Sequence, residues 1–136
     1  MARSLFEIPK RGYLSYVKGQ STKPLRESTI FSLLREITGK FPDKFAVHSY
    51  HQDISLTYTE LYNKAHNIAG ALVHLGFKPG DRLAIVTPNR YEWYVMQLAA
   101  SISGIMNVCL NYAYQANELK NALKAVRCFY FLYLAP

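Results

Sequence analysis

Residues able to do chemistry are thinly spread along this chain. The histidines are His48, His51, His66 and His74, and the cysteines are Cys109 and Cys128. Zinc sites gather such residues at short fixed spacings, as in CxxC or CxxH. Neither cysteine has such a neighbour, and each sits in an apolar run. His66 and His74 share one expected helix but lie too far apart to grip one ion. The expectation is two buried, reduced thiols and histidines at or near the surface. The patterns G-x-x-x-x-G-K-S/T, G-x-G-x-x-G, G-x-S-x-G and H-E-x-x-H are all absent, so the commonest phosphate, dinucleotide, acyl-transfer and metalloprotease chemistries have no motif here. Two polar places remain. Asp81 beside Arg82 lies in a Pro-Gly turn, where a carboxylate satisfies backbone donors. Asn89 precedes a helix, where free N–H groups can hold an anion, but an ordinary cap uses the same residue type in the same place. Capping is the expected role, and no catalytic, cofactor-binding or metal-ligating residue is assigned.

The elements that would position any site are legible from residue 56 to residue 111. Thr57 and Glu60 have the spacing of a capping box. Leu61, Ala65, Ile68, Ala69, Leu72 and Leu75 then form one stripe, which predicts a helix over 58–75. Gly76 suits a helix end, and Lys78-Pro79-Gly80-Asp81 is turn chemistry. Leu83 to Val86 are apolar without polar alternation, as in a strand covered on both faces. Asn89 and Glu92 repeat the cap spacing before a helix over 91–103. Gly104 closes it, and a buried strand follows over 105–110. Helix, strand, helix, strand with short joins is the pattern of a parallel α/β sheet.

Around that stretch the signals are weaker. Residues 1–27 mix Pro9, Gly12, Gly19 and Pro24 with scattered cations and have no sustained period, which reads as a basic arm. Residues 28–136 read as one domain. A short helix is expected over 29–38, with Ile30, Leu33, Leu34 and Ile37 on one face, Ser28 as cap and Gly39 as end. Segments 45–50 and 54–57 around His51-Gln52-Asp53 predict a β-hairpin. A third main helix is expected over 117–126, with Leu119, Leu123 and Val126 inward, then a closing strand over 128–134.

Length suits one domain with a sizeable core: 136 residues, half of them hydrophobic and 18% charged. Such a chain is globular rather than disordered. Eleven Tyr and seven Phe are read as core packing. The net charge of +7 would suit an anionic partner. Yet Lys78, Arg82, Arg90, Lys120, Lys124 and Arg127 form no run, so a solvated surface is expected and nucleic acid is not. No apolar stretch is long enough to span a bilayer. The first residues are basic and nearly free of acids, as in a transit peptide, although Glu7 and Pro9 interrupt the pattern.

The ordered set LTYTEL, LGFKPGDRLAI, PNRYEW and GIMNV resembles the N-terminal part of the adenylate-forming synthetases, the AMP-binding family of acyl-CoA synthetases, luciferases and peptide-synthetase adenylation domains. SYVKGQSTKPL and NYAYQANELKNALKAV are more narrowly similar to the medium-chain acyl-CoA synthetases of animal mitochondria. The likeness runs from about residue 14 to residue 128. It implies ATP-driven conversion of a fatty acid to an acyl-adenylate and then to acyl-CoA, with ATP, magnesium and CoA as cofactors of the full-length enzymes. It also implies that the phosphate loop, the adenine and magnesium segment, the ribose-binding acid and the mobile-domain lysine all follow the matched region. Two positions depart from the family. Tyr112 stands where relatives usually have Pro, and after Cys128 the tail Phe129-Tyr130-Phe131-Leu132-Tyr133-Leu134 is bulky. A truncated isoform, an exon end or a divergent strand would each give that tail.

The expected fold is therefore α/β, part of a doubly wound sheet with a β-hairpin and three main helices. The expected function is that of a fragment of a fatty acyl-CoA synthetase, binding no cofactor and inactive by itself. Two other readings stand beside it: a non-catalytic interaction protein that kept this fold, and a basic nucleic-acid-binding domain. Fatty acid and CoA are the partners of the full-length family. Self-association through an exposed sheet edge is expected of the fragment. Mitochondria are the expected compartment, with the cytoplasm as the alternative.

Overall fold

The computed structural model describes residues 6–7, 18–20, 22–24, 26–128 and 130–133. In chain order the strands are β1 (Phe6–Glu7), β2 (Lys18–Gly19), β3 (Phe45–Ser49), β4 (Ile54–Thr57), β5 (Arg82–Val86), β6 (Met106–Leu110) and β7 (Tyr130–Tyr133). The helices are α1 (Ile30–Lys40), α2 (Tyr58–His74), α3 (Tyr91–Ser103) and α4 (Ala116–Ala125). β1 and β2 pair as a short antiparallel ribbon. The rest of the expected N-terminal arm lies mostly outside the described residues, as do Phe129 and everything after Tyr133.

An apolar strand without alternation is stable only in the middle of a sheet, and β5 takes that place. The main sheet is parallel, in the order β6-β5-β7. Leu83 and Ile85 share one face with Asn107, Cys109, Tyr130 and Leu132, while Ala84 and Val86 share the other with Val108, Leu110, Phe131 and Tyr133. α2 and α3 cover the first face. Ala69, Leu72, Met96, Ala99 and Ala100 meet Leu83, Ile85 and Ile105 in one buried cluster. Small residues at Ala65 and Ala99, both fully buried, let the two helices come close. The chain leaves β5 through α3 to β6, then returns through α4 to β7 on the other side. With right-handed crossovers this sets α3 and α4 on opposite faces, the doubly wound arrangement. A second cluster of Leu34, Leu56, Leu61 and Val95 ties α1 and the β3–β4 hairpin to α2 and α3.

Local chemistry explains the ends. Thr57 Oγ1 accepts from Glu60 N at 3.2 Å, and the Glu60 carboxylate accepts from Thr57 N at 2.8 Å, completing the capping box. α2 stops in a Schellman turn: Phe77 N–H donates to Leu72 O at 3.2 Å and Gly76 N–H to Val73 O at 3.0 Å, with Gly76 at φ +93. The Asp81 carboxylate accepts from Lys78 N at 2.7 Å, as expected of that turn. Gly80 N–H donates to Gly104 O at 2.9 Å. Gly104 has φ +70, and a Cβ there would meet Pro79 Cβ at 3.1 Å, so both conformation and space require glycine.

Several expectations are corrected. The α1 cap is Thr29, whose hydroxyl accepts from Ser32 N at 3.1 Å, not Ser28. α1 also runs through Gly39 to Lys40, because one helical glycine costs only about 1 kcal/mol and Pro42 supplies the stop. Ile30 at 55% and Leu75 at 74% are exposed, since they lie at helix ends beyond the packed turns. Cys128 is buried, but Cys109 is exposed: it sits on the edge strand β6, on the α2–α3 face beyond the helices' cover. Leu119, Leu123 and Val126 are only half-buried, and α4 buries none of its residues.

Candidate functional site

Open α/β sheets place ligands outside the carboxyl ends of their strands, where the chain's winding reverses. Here that crevice lies after β5, at Thr87-Pro88-Asn89-Arg90 and the first turn of α3. Asn89 is exposed and is not the cap; the cap position is Arg90, and its side chain makes no capping bond. The cap is supplied from far away. A short 3-10 turn after β3 ends at Asp53 in the left-handed region, φ +51, and directs Gln52 toward α3. Gln52 Oε1 accepts from Tyr91 N at 2.9 Å and from Ser49 Oγ at 2.8 Å. Its Nε2 donates to Glu92 Oε2 at 2.9 Å.

Arg90 closes the arrangement, with Nε 3.3 Å from Glu92 Oε2 and Nη2 3.1 Å from Glu92 Oε1. Burial pushes the Glu92 carboxyl up, but hydrogen bonds from Arg90 and Gln52 outweigh it and hold the group below its ordinary value. The same bond to Glu92 raises the Arg90 guanidinium. Trp93 N–H donates to Arg90 O at 3.2 Å. The positive end of α3 thus already has its anion, the carboxylate of Glu92. A phosphate would have to displace that carboxylate and the Gln52 oxygen. The arrangement clamps hairpin to helix rather than presenting an anion site.

Beside the clamp lies an apolar groove of about 320 Å³, lined by Lys64, Ile68, Tyr91, Val95, Met96 and Leu132. A second, about 380 Å³, continues past Leu132 along Leu72, Leu75, Phe77, Tyr130 and Phe131. A third, about 580 Å³, follows α4 between Leu119 and Leu123 with Lys120, Lys124 and Arg127 at its rim. Thr87 Oγ1 is buried without a hydrogen-bond partner among the described residues.

All four histidines are exposed. His48 Nδ1 lies 2.6 Å from Ser55 Oγ, and His66 Nε2 lies 3.0 Å from Tyr62 Oη within a ring cluster that includes Phe31. Among the described residues no three His, Cys, Asp or Glu side chains could hold a metal ion, and no helix is long and apolar enough to cross a membrane. Sequence reasoning missed Gln52, because nothing in local spacing links it to Tyr91.

The geometry has known counterparts. The AMP-binding enzyme family matches residues 34–134. The chain is 39% identical over 117 residues to the medium-chain acyl-CoA ligase ACSF2, mitochondrial, of Homo sapiens, covering 86% of this chain and 19% of that protein. It is 40% identical over 114 residues to the Danio rerio counterpart, again 19% of that protein. Among solved structures, the inhibitor-bound N-terminal domain of FACL13 from Mycobacterium tuberculosis aligns with a TM-score of 0.74 at 27% identity, over 77% of this chain and 26% of that one. The N-terminal subdomain of Klebsiella oxytoca NpsA, in complex with anthranilyl-AMSN, aligns at 0.73 and 25% identity, over 77% and 27%. The chain thus spans about a fifth of the length of the curated relatives it matches. With a family match running from α1 through β7, and the same α/β fold in the N-terminal domains of adenylate-forming enzymes, this chain belongs to the AMP-binding enzyme family.

Proposed function

We propose that this chain is a scaffold unit of a medium-chain fatty acyl-CoA synthetase, inactive toward ATP by itself. The whole enzyme would use ATP and magnesium to form an acyl-adenylate and then pass the acyl group to CoA. The observation that carries this reading is the 39% identity to a medium-chain acyl-CoA ligase across 117 residues. The inactivity rests on the clamp: adenylation places charged groups around transferring phosphates, and the one helix start at the switch point is filled by Glu92. We take residues 1–27 as a basic arm and 28–136 as the unit, and place the protein in mitochondria, as its relatives' names suggest. The test is ATP–pyrophosphate exchange on the purified chain with a medium-chain fatty acid. Background exchange is expected, and fatty-acid-dependent exchange would overturn the reading.

A second reading, a non-catalytic interaction protein, is favoured by the outer edge of β7, which pairs with no strand among the described residues. Co-purification with a full-length synthetase would support it. Left uncovered, that edge also favours association of copies at high concentration. A nucleic-acid role is not proposed, since the cations stay scattered and Arg90 is engaged with Glu92.

A further inference from the structure

Residues 39–45 join the end of α1 to the start of β3, and all of them are exposed. Two are phenylalanine: Phe41 is 43% exposed and Phe45 72%. The aromatic residues were expected in the core, so these two rings need another explanation. The loop that carries them is tied down at both ends. Phe41 N–H donates to Ile37 O at 2.8 Å, and Lys44 N–H donates to Phe41 O at 3.2 Å. Pro42 O accepts from Thr59 N at 3.2 Å and from Thr59 Oγ1 at 3.0 Å, and Lys44 O accepts from Tyr58 N at 3.0 Å. The carbonyls of Phe41, Pro42 and Lys44 therefore all have partners inside the protein. Lysines flank the rings. Lys44 Nζ lies 4.7 Å from the centre of the Phe41 ring, and Lys40 pairs with Glu36 at 2.6 Å.

We infer that this loop is a peripheral membrane anchor, seating Phe41 and Phe45 in the headgroup boundary of an anionic lipid bilayer with Lys40 and Lys44 against its phosphates. The inference lies beyond the synthetase reading and does not depend on it. Exposed apolar side chains beside cations are the pattern of interfacial binding, in which buried apolar area and attraction to anionic lipid act together. A segment entering that boundary must leave no backbone group without a partner, and the three satisfied carbonyls meet this demand. Other occupants fit less well. A partner strand binds through free backbone groups, which those carbonyls do not offer. A second copy brings another +7 charge, and like charges oppose association, whereas an anionic bilayer complements that charge.

The test floats the 136-residue chain with vesicles of phosphatidylcholine, alone or mixed with phosphatidylglycerol. Binding to the mixed vesicles and little to the neutral ones is expected. Phe41→Ser and Phe45→Ser replace exposed rings, so circular dichroism should be unchanged while affinity falls, by about tenfold for the more exposed Phe45. Lys44→Glu should also weaken binding. Tyr50→Ser, at the far end of the hairpin and 90% exposed, should bind as the parent does. Position is read separately, because residues 1–27 are also basic and attract anionic vesicles by charge alone. Brominated acyl chains should quench Phe45→Trp above the Trp93 background of the parent, and should not quench Tyr50→Trp in this way. No flotation, flotation unchanged by both ring-to-serine variants, or equal quenching at positions 45 and 50 would each overturn the inference. So would a dimer that forms without lipid and is abolished by Phe45→Ser, because it would give the rings a protein partner instead.

Discussion

The helices on the two faces of the main sheet are built from similar local signals and end up differently. On one face α2 and α3 are capped at both ends, and each buries four residues. On the other, α4 is as strongly punctuated. Glu118 accepts from Gln115 N at 2.8 Å, and a Schellman turn ends the helix, with Cys128 N–H to Leu123 O at 2.9 Å and Arg127 N–H to Lys124 O at 3.1 Å. Yet α4 buries nothing, and β7 beside it leaves Phe131 and Tyr133 more than half exposed on that face. Caps and stripes decide whether a helix forms. How much of it is buried depends on what else is present to cover it. The difference is between a side covered by two packed helices and a side that is thinly covered among the described residues.

The largest expected effect sharpens that contrast directly. Leu72→Ala, in the closed cluster, should cost about 2–5 kcal/mol in urea unfolding, whereas Leu119→Ala on α4 should cost less than about 1 kcal/mol. Equal losses would erase the distinction. Next comes the clamp. Gln52→Ala strips Tyr91 N–H and Glu92 of a partner and should cost about 1–3 kcal/mol. The loss should appear as earlier melting, and a wild-type midpoint would show the bonds to be idle. A smaller effect lies on the open side. Arg127 holds φ +48, a conformation that is strained for a residue with a Cβ. Arg127→Gly should stabilise by roughly 0.5–1 kcal/mol, read from denaturant midpoints.

Acid should act mainly on the closed side. The Glu60 carboxyl is held below its ordinary value by the Thr57 N–H and then the Thr57 hydroxyl, and Glu92 also lies low, because its hydrogen bonds outweigh its burial. A carboxyl lowered in the folded state contributes stability above its unfolded value, about 4.3, and loses it as pH falls through the folded value. Melting temperature should therefore decline below about pH 4.3. Glu92→Gln and Glu60→Gln should each flatten that decline. An undiminished acid slope in both variants would remove these two carboxyls from the account.

Much of this was legible in the sequence. The capping box at Thr57, the apolar run at Leu83–Val86 and the glycine stops at Gly76 and Gly104 are local, so reading neighbours suffices. The parallel order followed from helix-strand alternation. What stayed hidden was non-local. Gln52 caps a helix that starts 39 residues later, and Asn89, which has the right type and place, does not. Cys109 looked buried because its neighbours are apolar, but its strand lies at the sheet edge. Leu119 and Leu123 looked inward because their stripe is intact, but nothing among the described residues packs closely enough over α4 to bury them.

Residue-resolved amide hydrogen exchange tests the closed and open sides most directly. Amides of β5, α2 and α3 should exchange slowest, near the global unfolding limit, while those of α4 and the outward amides of β7 exchange faster by on the order of tenfold or more. Protection of Tyr130–Tyr133 and Ala116–Ala125 equal to that of Arg82–Val86 would contradict the account, because it would mean that the two sides are equally well covered.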